Sequence, residues 1–445
     1  MLGHVGHNEL SVRPVARFPN GPVERADGLH WDIEALRSHV FAGLAAAVRE
    51  EPAVASIGVD SWAVDYALLR EGRMLAEPFH YRDERNLPAV DRVHSIVGPA
   101  ELYAANGLQH LPFNTLFQLA AEESLDADTM LLIPDLFGYW LTGRAFAERT
   151  NASTTGLLNV TTGRWDDSLI SSLGLPRSIF PTLVEPGTSL GALLPEVALE
   201  VGAELTVTAV GSHDTASAVV AVPATSSDFA YISCGTWGLV GVELEHPVLT
   251  EASRAANFTN EGGVDGRVRF LHNVMGLWLL SESLRAWGRE DLPELLAAAA
   301  SVTGDVPVFD ANDPAFLAPG DMPGRIATWF RERGIQPPAS EVAMVRSIVE
   351  SLAVAFADAV RAASDLSGTD VSVIHLVGGG SQNELLCQLT ADRAGMPVLA
   401  GPVEATAIGN VLVQARAQGF AEGSLESLRS LVAAAFSPRK YVPRA

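Results

Sequence analysis

Cysteine, basic residues and long apolar runs are all scarce in this sequence. Its two cysteines, Cys234 and Cys387, are too few for a disulfide framework and match no zinc-ligand spacing, which indicates a reducing, intracellular setting. The 30 Lys and Arg residues are outnumbered by 53 Asp and Glu residues, and the net charge of −23 disfavours partners bound through phosphate backbones or anionic lipid. We therefore expect no nucleic-acid partner and no membrane partner.

The sequence also lacks segments that direct a chain to or through a membrane. The N-terminus has no basic stretch followed by an apolar run, and no stretch approaches the roughly 18 apolar residues of a spanning helix. Glycine (39) and proline (26) punctuate the chain without clustering, so low-complexity disorder is not indicated. We expect a folded, cytoplasmic protein.

The 445 residues are 48% hydrophobic, which is enough for two packed cores. Short β-rich runs alternate with longer helical patterns, and this alternation predicts an α/β fold. Strands are predicted at 53–59, 206–211, 229–240 (a pair around Gly235) and 371–377, and helices after an N-cap at Ser340 and over 405–418. Pro-rich, non-periodic sequence over 179–195 gives way to a new strand, which predicts a domain boundary between 209 and 210.

A candidate general base lies in the segment Ser212-His213-Asp214-Thr215, which follows a predicted strand and opens a helix. Ligand crevices of open α/β sheets form at the carboxyl ends of strands, so Asp214 is placed for acid–base chemistry and His213 for hydrogen bonding to a polar ligand. The alternative is structural: Asp214 or Ser212 caps the helix, and His213 is a surface histidine.

Two glycine-containing turns are candidates for binding a phosphate or nucleotide. Gly378-Gly379-Gly380 follows an apolar strand, and Ser381 to Asn383 open the next helix, so a ligand can approach the backbone closely and meet unpaired N–H groups. Gly235-Thr236 lies between two β runs and can present N–H groups and a hydroxyl. A turn that only redirects the chain is the alternative for both, and neither matches the Walker A or dinucleotide fingerprint.

Two further segments supply the groups that a sugar needs. Residues 60–65 close the first strong strand with Asp60, Trp62 and Asp65, and residues 81–85 combine an aromatic ring with carboxylates and guanidinium groups. Aromatic faces pack on the C–H surface of a sugar, and fixed charged groups bind its hydroxyls. The alternative for residues 81–85 is a solvated loop with ion pairs.

In chain order, these segments resemble the FGGY carbohydrate kinases, and among them the rhamnulokinases most closely. The resemblance covers nearly the whole chain and is also carried by Leu111-Pro112-Phe113-Asn114-Thr115, Asn260-Glu261-Gly262-Gly263, Asn273-Val274-Met275-Gly276 and Ala400-Gly401-Pro402-Val403-Glu404-Ala405. It implies an α/β fold of two actin-like ATPase (ribonuclease-H-like) domains with a ligand cleft between them. Residues 1–209 would form the N-terminal, sugar-binding domain and residues 210–445 the C-terminal, nucleotide-binding domain.

The resemblance also implies an activity: ATP-dependent phosphorylation of L-rhamnulose to L-rhamnulose 1-phosphate in rhamnose catabolism, with ATP and Mg²⁺ as cofactors. Asp214 would be the catalytic base. The implied sugar-binding residues are Ala63, Asp65, Asp83, His213, Thr215 and Asn273. The implied nucleotide-binding residues are Thr236, Ser281, Gly379, Gly380 and Asn383, and no metal ligand is assigned. The expected partners are the sugar and ATP, bound by a monomer or homodimer.

The sequence departs from the family pattern in three places. Met1-Leu2-Gly3 aligns with the second strand of the family, so the opening strand with its Asp-x-Gly motif and phosphate-gripping turn is expected to be missing. Ala63 stands where the family has a glycine near the sugar, and Ser281 where a glutamine near the nucleotide is usual. These departures leave open a kinase for another ketose or polyol, and a non-catalytic sugar-binding protein.

Overall fold

The computed structural model describes residues 1–6 and 9–444, which form two compact units. Unit 1 comprises Met1–Ala221, Glu243–Arg269 and Ala405–Ala435. Unit 2 comprises Val222–Val242, Phe270–Glu404 and the described residues from Phe436 onward. The boundary expected between 209 and 210 lies within the first segment of unit 1, and that unit also includes two segments from later in the chain.

The secondary structure of the described residues alternates between short strands and helices. The strands are β1 (Leu2–Gly6), β2 (Glu9–Arg13), β3 (Pro22–Arg25), β4 (Gly28–Trp31), β5 (Ser56–Ile57), β6 (Tyr66–Arg70), β7 (Arg73–Met74), β8 (Thr129–Leu132), β9 (Ala147–Glu148), β10 (Leu158–Asn159), β11 (Arg164–Trp165), β12 (Leu183–Val184), β13 (Ser189–Ala192), β14 (Thr206–Thr208), β15 (Phe229–Cys234), β16 (Trp237–Leu244), β17 (Thr259–Gly262), β18 (Val268–Met275), β19 (Val373–Val377), β20 (Val398–Ala400) and β21 (Arg439–Tyr441). The helices are α1 (Ile33–Glu50), α2 (Leu87–Ile96), α3 (Pro99–Asn106), α4 (Thr115–Ala121), α5 (Ile133–Thr142), α6 (Arg149–Ala152), α7 (Asp167–Ser172), α8 (Pro195–Val201), α9 (Asp214–Val220), α10 (Glu251–Ala255), α11 (Trp278–Trp287), α12 (Leu292–Ala300), α13 (Met322–Glu332), α14 (Glu341–Ser367), α15 (Glu384–Ala394), α16 (Ala405–Ala417) and α17 (Leu425–Ala435).

Unit 1 contains two small three-stranded sheets. In one of them β14 lies between β13 and β5, antiparallel to β13 and parallel to β5, and in the other β6 lies between β7 and β8. Helix α16 packs against α9 and β1. A side chain at Gly3 of β1 would overlap Val411 of α16, so the backbone of β1 lies directly on this helix. This packing explains why residues 405–435 belong to unit 1.

The regular strands β5 and β14 are shorter than the sequence predicted. The chain leaves the ladder at Gly58, where a Cβ atom would come within 2.7 Å of Val210, Asn410 and Gln414 side-chain atoms. A side chain at this position would require these neighbours to move. The strands expected at 53–59 and 206–211 are thus reduced to Ser56–Ile57 and Thr206–Thr208.

Beyond their regular parts, the same two segments stay paired. The Ser61 N–H donates to the Ser212 carbonyl at 3.0 Å, and the Asp214 N–H donates to the Ser61 carbonyl at 2.9 Å. Ser61 and His213 form an isolated parallel bridge. The carboxyl ends of the two segments consequently lie side by side at one edge of the sheet.

Unit 2 is organised around strands in the order β18, β16, β15, β19, β20 and β21. The central pairs β15–β19 and β19–β20 are parallel, while β15–β16 and β20–β21 are antiparallel. The predicted strand pair around Gly235 is confirmed, and the predicted strand at 371–377 is β19. The predicted N-cap is also confirmed, because the Ser340 hydroxyl accepts the Ala343 N–H at 3.2 Å at the start of α14. Across residues 1–6 and 9–444, no helix has both the length and the apolar character that crossing a membrane requires.

Candidate active site

Two carboxyl groups lie at the edge of unit 1 where the bridge between Ser61 and His213 joins two segments. Asp60 is half-buried and accepts a hydrogen bond from the Asn410 amide. Burial raises the pKa of Asp60 to about 7; the Asn410 hydrogen bond opposes this shift, and the charge of Asp214 adds to it. The Asp214 side chain is 46% exposed, and its Oδ1 accepts the Thr215 hydroxyl at 3.1 Å. Nearly half of the Asp214 side chain is therefore open to a ligand, whereas burial and the Asn410 amide dominate the surroundings of Asp60.

His213 lies against Asp214 and is backed by a buried ion pair. Its Nε2 is 3.5 Å from Asp214 Oδ1, and its Nδ1 is 3.2 Å from Glu261 Oε2. The Arg269 guanidinium is fully buried, with Nη2 3.0 Å from His213 Nδ1 and 3.1 Å from Glu261 Oε2. Burial favours the neutral form of Glu261, but Arg269 and His213 outweigh it and lower the pKa of that carboxyl below its ordinary value. These contacts fix the orientation of the imidazole.

A second buried carboxylate holds the backbone ahead of His213. Glu148 accepts hydrogen bonds from the N–H and hydroxyl of Thr150, at 2.8 and 2.6 Å, and from the N–H and hydroxyl of Ser212, at 2.9 and 2.8 Å. The His213 N–H in turn faces the Thr150 hydroxyl at 3.4 Å. Glu148 thus fixes the backbone from which His213 and Asp214 project.

Asp65 is fully buried and gathers aromatic side chains. Its Oδ2 accepts the indole N–H groups of Trp31 and Trp62 at 2.6 and 3.0 Å and the backbone N–H of Tyr81 at 3.2 Å, while its Oδ1 accepts the Gln118 amide at 2.9 Å. Burial raises the pKa of Asp65 to about 7 despite these donors. The rings of Trp31 and Trp62 lie 4.0 Å apart. The predicted sugar-binding carboxylate therefore organises the aromatic cluster beside the edge.

Two other predicted sugar-binding residues flank this cluster. The Ala63 carbonyl accepts the Asp65 N–H at 2.9 Å, which places Ala63 between Trp62 and the buried carboxylate. Asp83 Oδ2 accepts the Leu29 N–H at 2.8 Å, and its Oδ1 accepts the Arg85 N–H at 2.8 Å at the start of a 3-10 turn. Both oxygens of Asp83 thus already have backbone donors.

In unit 2 the two glycine-containing turns lie next to each other. Strands β15 and β19 run parallel with Ser233 opposite Val377, so the turns that follow them meet at one edge of the sheet. A Cβ atom at Gly380 would be 2.4 Å from the Cys234 sulfur, whereas one at Gly379 would meet no atom within 4 Å. Gly380 is therefore required for packing, and Gly379 faces open space.

The other predicted nucleotide-binding residues lie around these turns. At the start of α11, the Leu277 N–H donates to the Gly235 carbonyl at 3.0 Å and the Trp278 N–H donates to the Thr236 carbonyl at 3.2 Å. Thr236 is exposed, and Ser281 is exposed one turn further along α11. Asn383 caps α15 by accepting the Leu386 N–H at 3.0 Å, while its buried Nδ2 has no hydrogen-bond partner.

An unsatisfied buried amide beside a helix N-terminus fits an acceptor-rich ligand such as a nucleotide. Asn273 lies half-buried on β18 of the same unit.

Sequence reasoning assigned no role to several residues that the structure brings to the edge of unit 1. Glu261 belongs to one of the segments that carried the family resemblance, so a signal for it existed. Arg269 stands between apolar residues of β18, and a charge in such a strand indicates a buried partner. Glu148, Asn410 and Gln118 have no such local signal, because their contacts join segments far apart in the chain.

A cavity of about 350 Å³ lies elsewhere in unit 1. Its lining includes His94, Tyr103, His110, Phe117 and Arg254, and it contains none of the predicted site residues. Cavity volume alone therefore does not mark the candidate site. Within each unit, the polar groups at the sheet edge mark the candidate residues better.

Family comparison supports the same interpretation. Residues 23–221 match the model of the N-terminal domain of the FGGY family of carbohydrate kinases, and residues 230–418 match that of its C-terminal domain. A rhamnulokinase of Bacteroides thetaiotaomicron is 39% identical over 452 residues, covering 100% of this chain and 93% of the relative. A rhamnulokinase of Pectobacterium carotovorum is 40% identical over 449 residues, covering 99% of this chain and 90% of the relative.

Solved structures agree on the fold. A xylulose kinase from Lactobacillus acidophilus superposes with a TM-score of 0.79 at 16% identity, covering 98% of this chain and 90% of that one. A glycerol kinase from Plasmodium falciparum, solved with ADP, gives a TM-score of 0.77 at 14% identity, covering 96% and 88%. The predicted α/β fold with two actin-like ATPase domains is thereby confirmed.

Proposed function

Because the chain belongs to the FGGY family of carbohydrate kinases, we propose that it transfers the γ-phosphoryl group of ATP to the 1-hydroxyl of L-rhamnulose. The products are L-rhamnulose 1-phosphate and ADP. Support for this substrate comes from relatives named rhamnulokinase at about 40% identity over nearly the whole chain. The observation that carries the chemistry is the accessible Asp214 carboxylate at the sheet edge, backed by His213.

Asp214 is the general base in this proposal. Phosphoryl transfer depends mainly on positioning and electrostatic stabilisation, with a carboxylate that orients the attacking hydroxyl and accepts its proton. Asp214 is exposed enough to meet a substrate, and its backbone N–H is anchored to Ser61. Its neighbour Asp60 is instead held by the Asn410 amide, and burial raises the pKa of that carboxyl to about 7.

The sugar-binding residues we propose are those predicted from the sequence. His213 is held by Glu261 and Arg269 and can therefore present a fixed ring to a hydroxyl. Thr215 adds a hydroxyl beside Asp214, and Ala63 borders the aromatic cluster. Asp65 and Asp83 contribute to sugar binding indirectly in this proposal. Asp65 orients the ring of Trp31, and Asp83 holds the backbone at Leu29. Asn273 stays a predicted contact to the ligand.

The nucleotide-binding residues we propose are Thr236, Ser281, Gly379, Gly380 and Asn383, all in unit 2. The open space at Gly379 and the unpartnered amide of Asn383 support this assignment. Mg²⁺ supplies charge neutralisation on the phosphates in kinases, held by few protein ligands. Within residues 1–6 and 9–444 no group of three His, Cys, Asp or Glu side chains is arranged to hold a metal. The cytoplasmic location and the monomeric or dimeric state stay predictions.

Sugar-dependent ADP release by the purified chain tests the proposal. We expect L-rhamnulose to give the highest kcat/KM in a panel that includes fuculose, xylulose and glycerol. Asp214→Asn should reduce kcat by about 10²–10⁴-fold, the usual contribution of a general base, while the sugar KM changes little. Asp91→Asn, at an exposed carboxyl on α2, is the matched control. Undiminished turnover in Asp214→Asn refutes the role of the base, and the absence of any sugar-dependent ADP release refutes the function.

A kinase for another ketose or polyol is the second candidate, and Ala63 is the residue that favours it. A methyl group at this position narrows the space beside Trp62 relative to the glycine usual in the family. One methyl group in a binding pocket changes discrimination by about 10–200-fold. If Ala63→Gly raises kcat/KM for L-rhamnulose at the expense of the best wild-type substrate, the second candidate is correct.

A further inference from the structure

The backbone of unit 1 is strained at Val64, next to the proposed sugar-binding residue Ala63. Val64 has φ +68°, and the Asp65 N–H donates to the Ala63 carbonyl at 2.9 Å. A hydrogen bond between residues two apart, around a centre of positive φ, defines the rare and strained form of γ-turn. Valine is among the residues least suited to this conformation, because its branched Cβ atom crowds the backbone.

Two buried side chains of α4 hold this turn. The Val64 carbonyl accepts the Thr115 hydroxyl at 2.7 Å and the Gln118 Nε2 group at 3.3 Å. Thr115, Gln118 and Val64 are all buried. A strained conformation persists only where its surroundings enforce it, and these two donors enforce the direction of the Val64 carbonyl.

Gln118 connects the turn to the aromatic cluster. Besides the Val64 carbonyl, its Nε2 lies 2.9 Å from Asp65 Oδ1 and 2.9 Å from the Phe113 carbonyl. Asp65 then accepts both the Trp31 and Trp62 indole N–H groups. The two N–H hydrogens of this amide thus serve three acceptors, with the shorter contacts at Asp65 and Phe113 and a longer, shared contact at the Val64 carbonyl. One amide therefore links the strained turn to the carboxylate that orients the rings.

We propose that Gln118 is a positioning residue that locks the γ-turn at Val64 and thereby sets the affinity of the chain for its sugar acceptor. This inference rests on the proposed function. Without the amide, Val64 relaxes toward negative φ, and the displacement passes to its neighbours Ala63 and Trp62. The nucleotide-binding residues we propose belong to unit 2, whereas Gln118 and its three acceptors belong to unit 1, so we expect the sugar KM to respond more than the ATP KM.

Steady-state kinetics of Gln118→Leu separate this role from general damage. We expect the sugar KM to rise at least 10-fold while the ATP KM stays within 2-fold of wild type. Gln388→Leu, the same chemical change at a part-buried amide on α15, is the control and should leave both constants unchanged. Equal effects on the two substrates, or an unchanged sugar KM, overturn the proposal.

A second change tests the strain itself. Glycine adopts φ +68° without cost, so Val64→Gly introduced into Gln118→Leu should restore the sugar KM to within about 3-fold of wild type. A role of Gln118 in packing alone predicts no recovery, and that result also overturns the proposal. If Gln118→Leu does not fold, Thr115→Val removes the other donor to the same carbonyl and should raise the sugar KM several-fold; an unchanged KM then counts against the lock.

Different experimental results would refute the proposed function and this inference. A wild-type chain that phosphorylates none of the sugars refutes the function. In that case the near-UV circular dichroism of the closely spaced Trp31–Trp62 pair still reports the conformation of the segment. A changed aromatic signal in Gln118→Leu, absent in Gln388→Leu, supports the lock, and identical spectra refute it.

Discussion

Replacing Asp60 by asparagine should make the protein more stable at neutral and alkaline pH. Asp60 is half-buried. The Asn410 amide donates a hydrogen bond to it, and the negative charge of Asp214 disfavours its ionised form. Burial raises its pKa from 3.8 to about 7. Asparagine has nearly the same shape, can still accept the Asn410 hydrogen bond, and carries no charge.

The magnitude follows from the difference in pKa between the folded and unfolded chain. Because the folded-state pKa of Asp60 lies above the unfolded value, the folded protein binds this proton more tightly. The associated stability is complete below about pH 4 and is lost as the pH rises through 7. Each pH unit between the two values costs the wild type about 1.4 kcal/mol, so about 3 units of pKa correspond to about 4 kcal/mol. The variant does not undergo this loss.

Urea unfolding of both proteins from pH 5 to pH 8 measures the effect. The free energy of unfolding of Asp60→Asn relative to wild type should increase by about 3 kcal/mol across this range and level off above pH 7. Asp91→Asn, at an exposed carboxyl of the same unit, should show no comparable trend. A difference between Asp60→Asn and wild type that is independent of pH, or that shrinks as the pH rises, refutes the burial argument.

The structure supports two further predictions, both centred on unit 2. Gly380→Ala should raise the ATP KM and destabilise the fold by about 1–3 kcal/mol, because the added methyl overlaps the Cys234 sulfur; Gly379→Ala, in open space, should leave stability unchanged by thermal denaturation. Burial raises the pKa of the Cys234 and Cys387 thiols to about 12, so neither should react with a thiol reagent at pH 8 until denaturant is added, when both react; labelling of the native protein would contradict this.

Local patterns predicted the elements whose stabilisation is itself local. The helix after Ser340 has its cap and its buried apolar residues in one continuous segment. The strand pair around Gly235 likewise follows from a turn between two apolar runs. The strands at 53–59 and 206–211 were predicted too long, and the neighbours that pack around Gly58, where β5 has ended, come from residues 150 or more positions away.

The candidate site divides in the same way. Asp214 and the glycine turns could be singled out because strand ends and glycine runs are visible in a short window of sequence. The partners that orient them could not, since Glu261 and Arg269 reach His213 from about 50 residues away, and Asn410 reaches Asp60 across 350. Burying these charged and polar groups costs free energy unless they form hydrogen bonds or ion pairs. Which residues come together to form them is determined by the fold.

The acidic composition and the proposed use of ATP are reconciled by the chemistry of the unit 2 edge. A chain of net charge −23 repels a nucleotide at long range, so affinity has to arise from short-range donors rather than from a basic surface. Glycine at position 379 leaves open space beside the backbone where the turn enters α15, and the Asn383 amide adds a donor that lacks a partner. Donors of this kind are neutral, and their strength depends on geometry rather than on ionic strength. If this is the basis of nucleotide binding, the ATP KM should stay constant or fall as salt is raised from 50 to 300 mM, because salt also screens the long-range repulsion, whereas binding by a basic patch would weaken steeply over the same range.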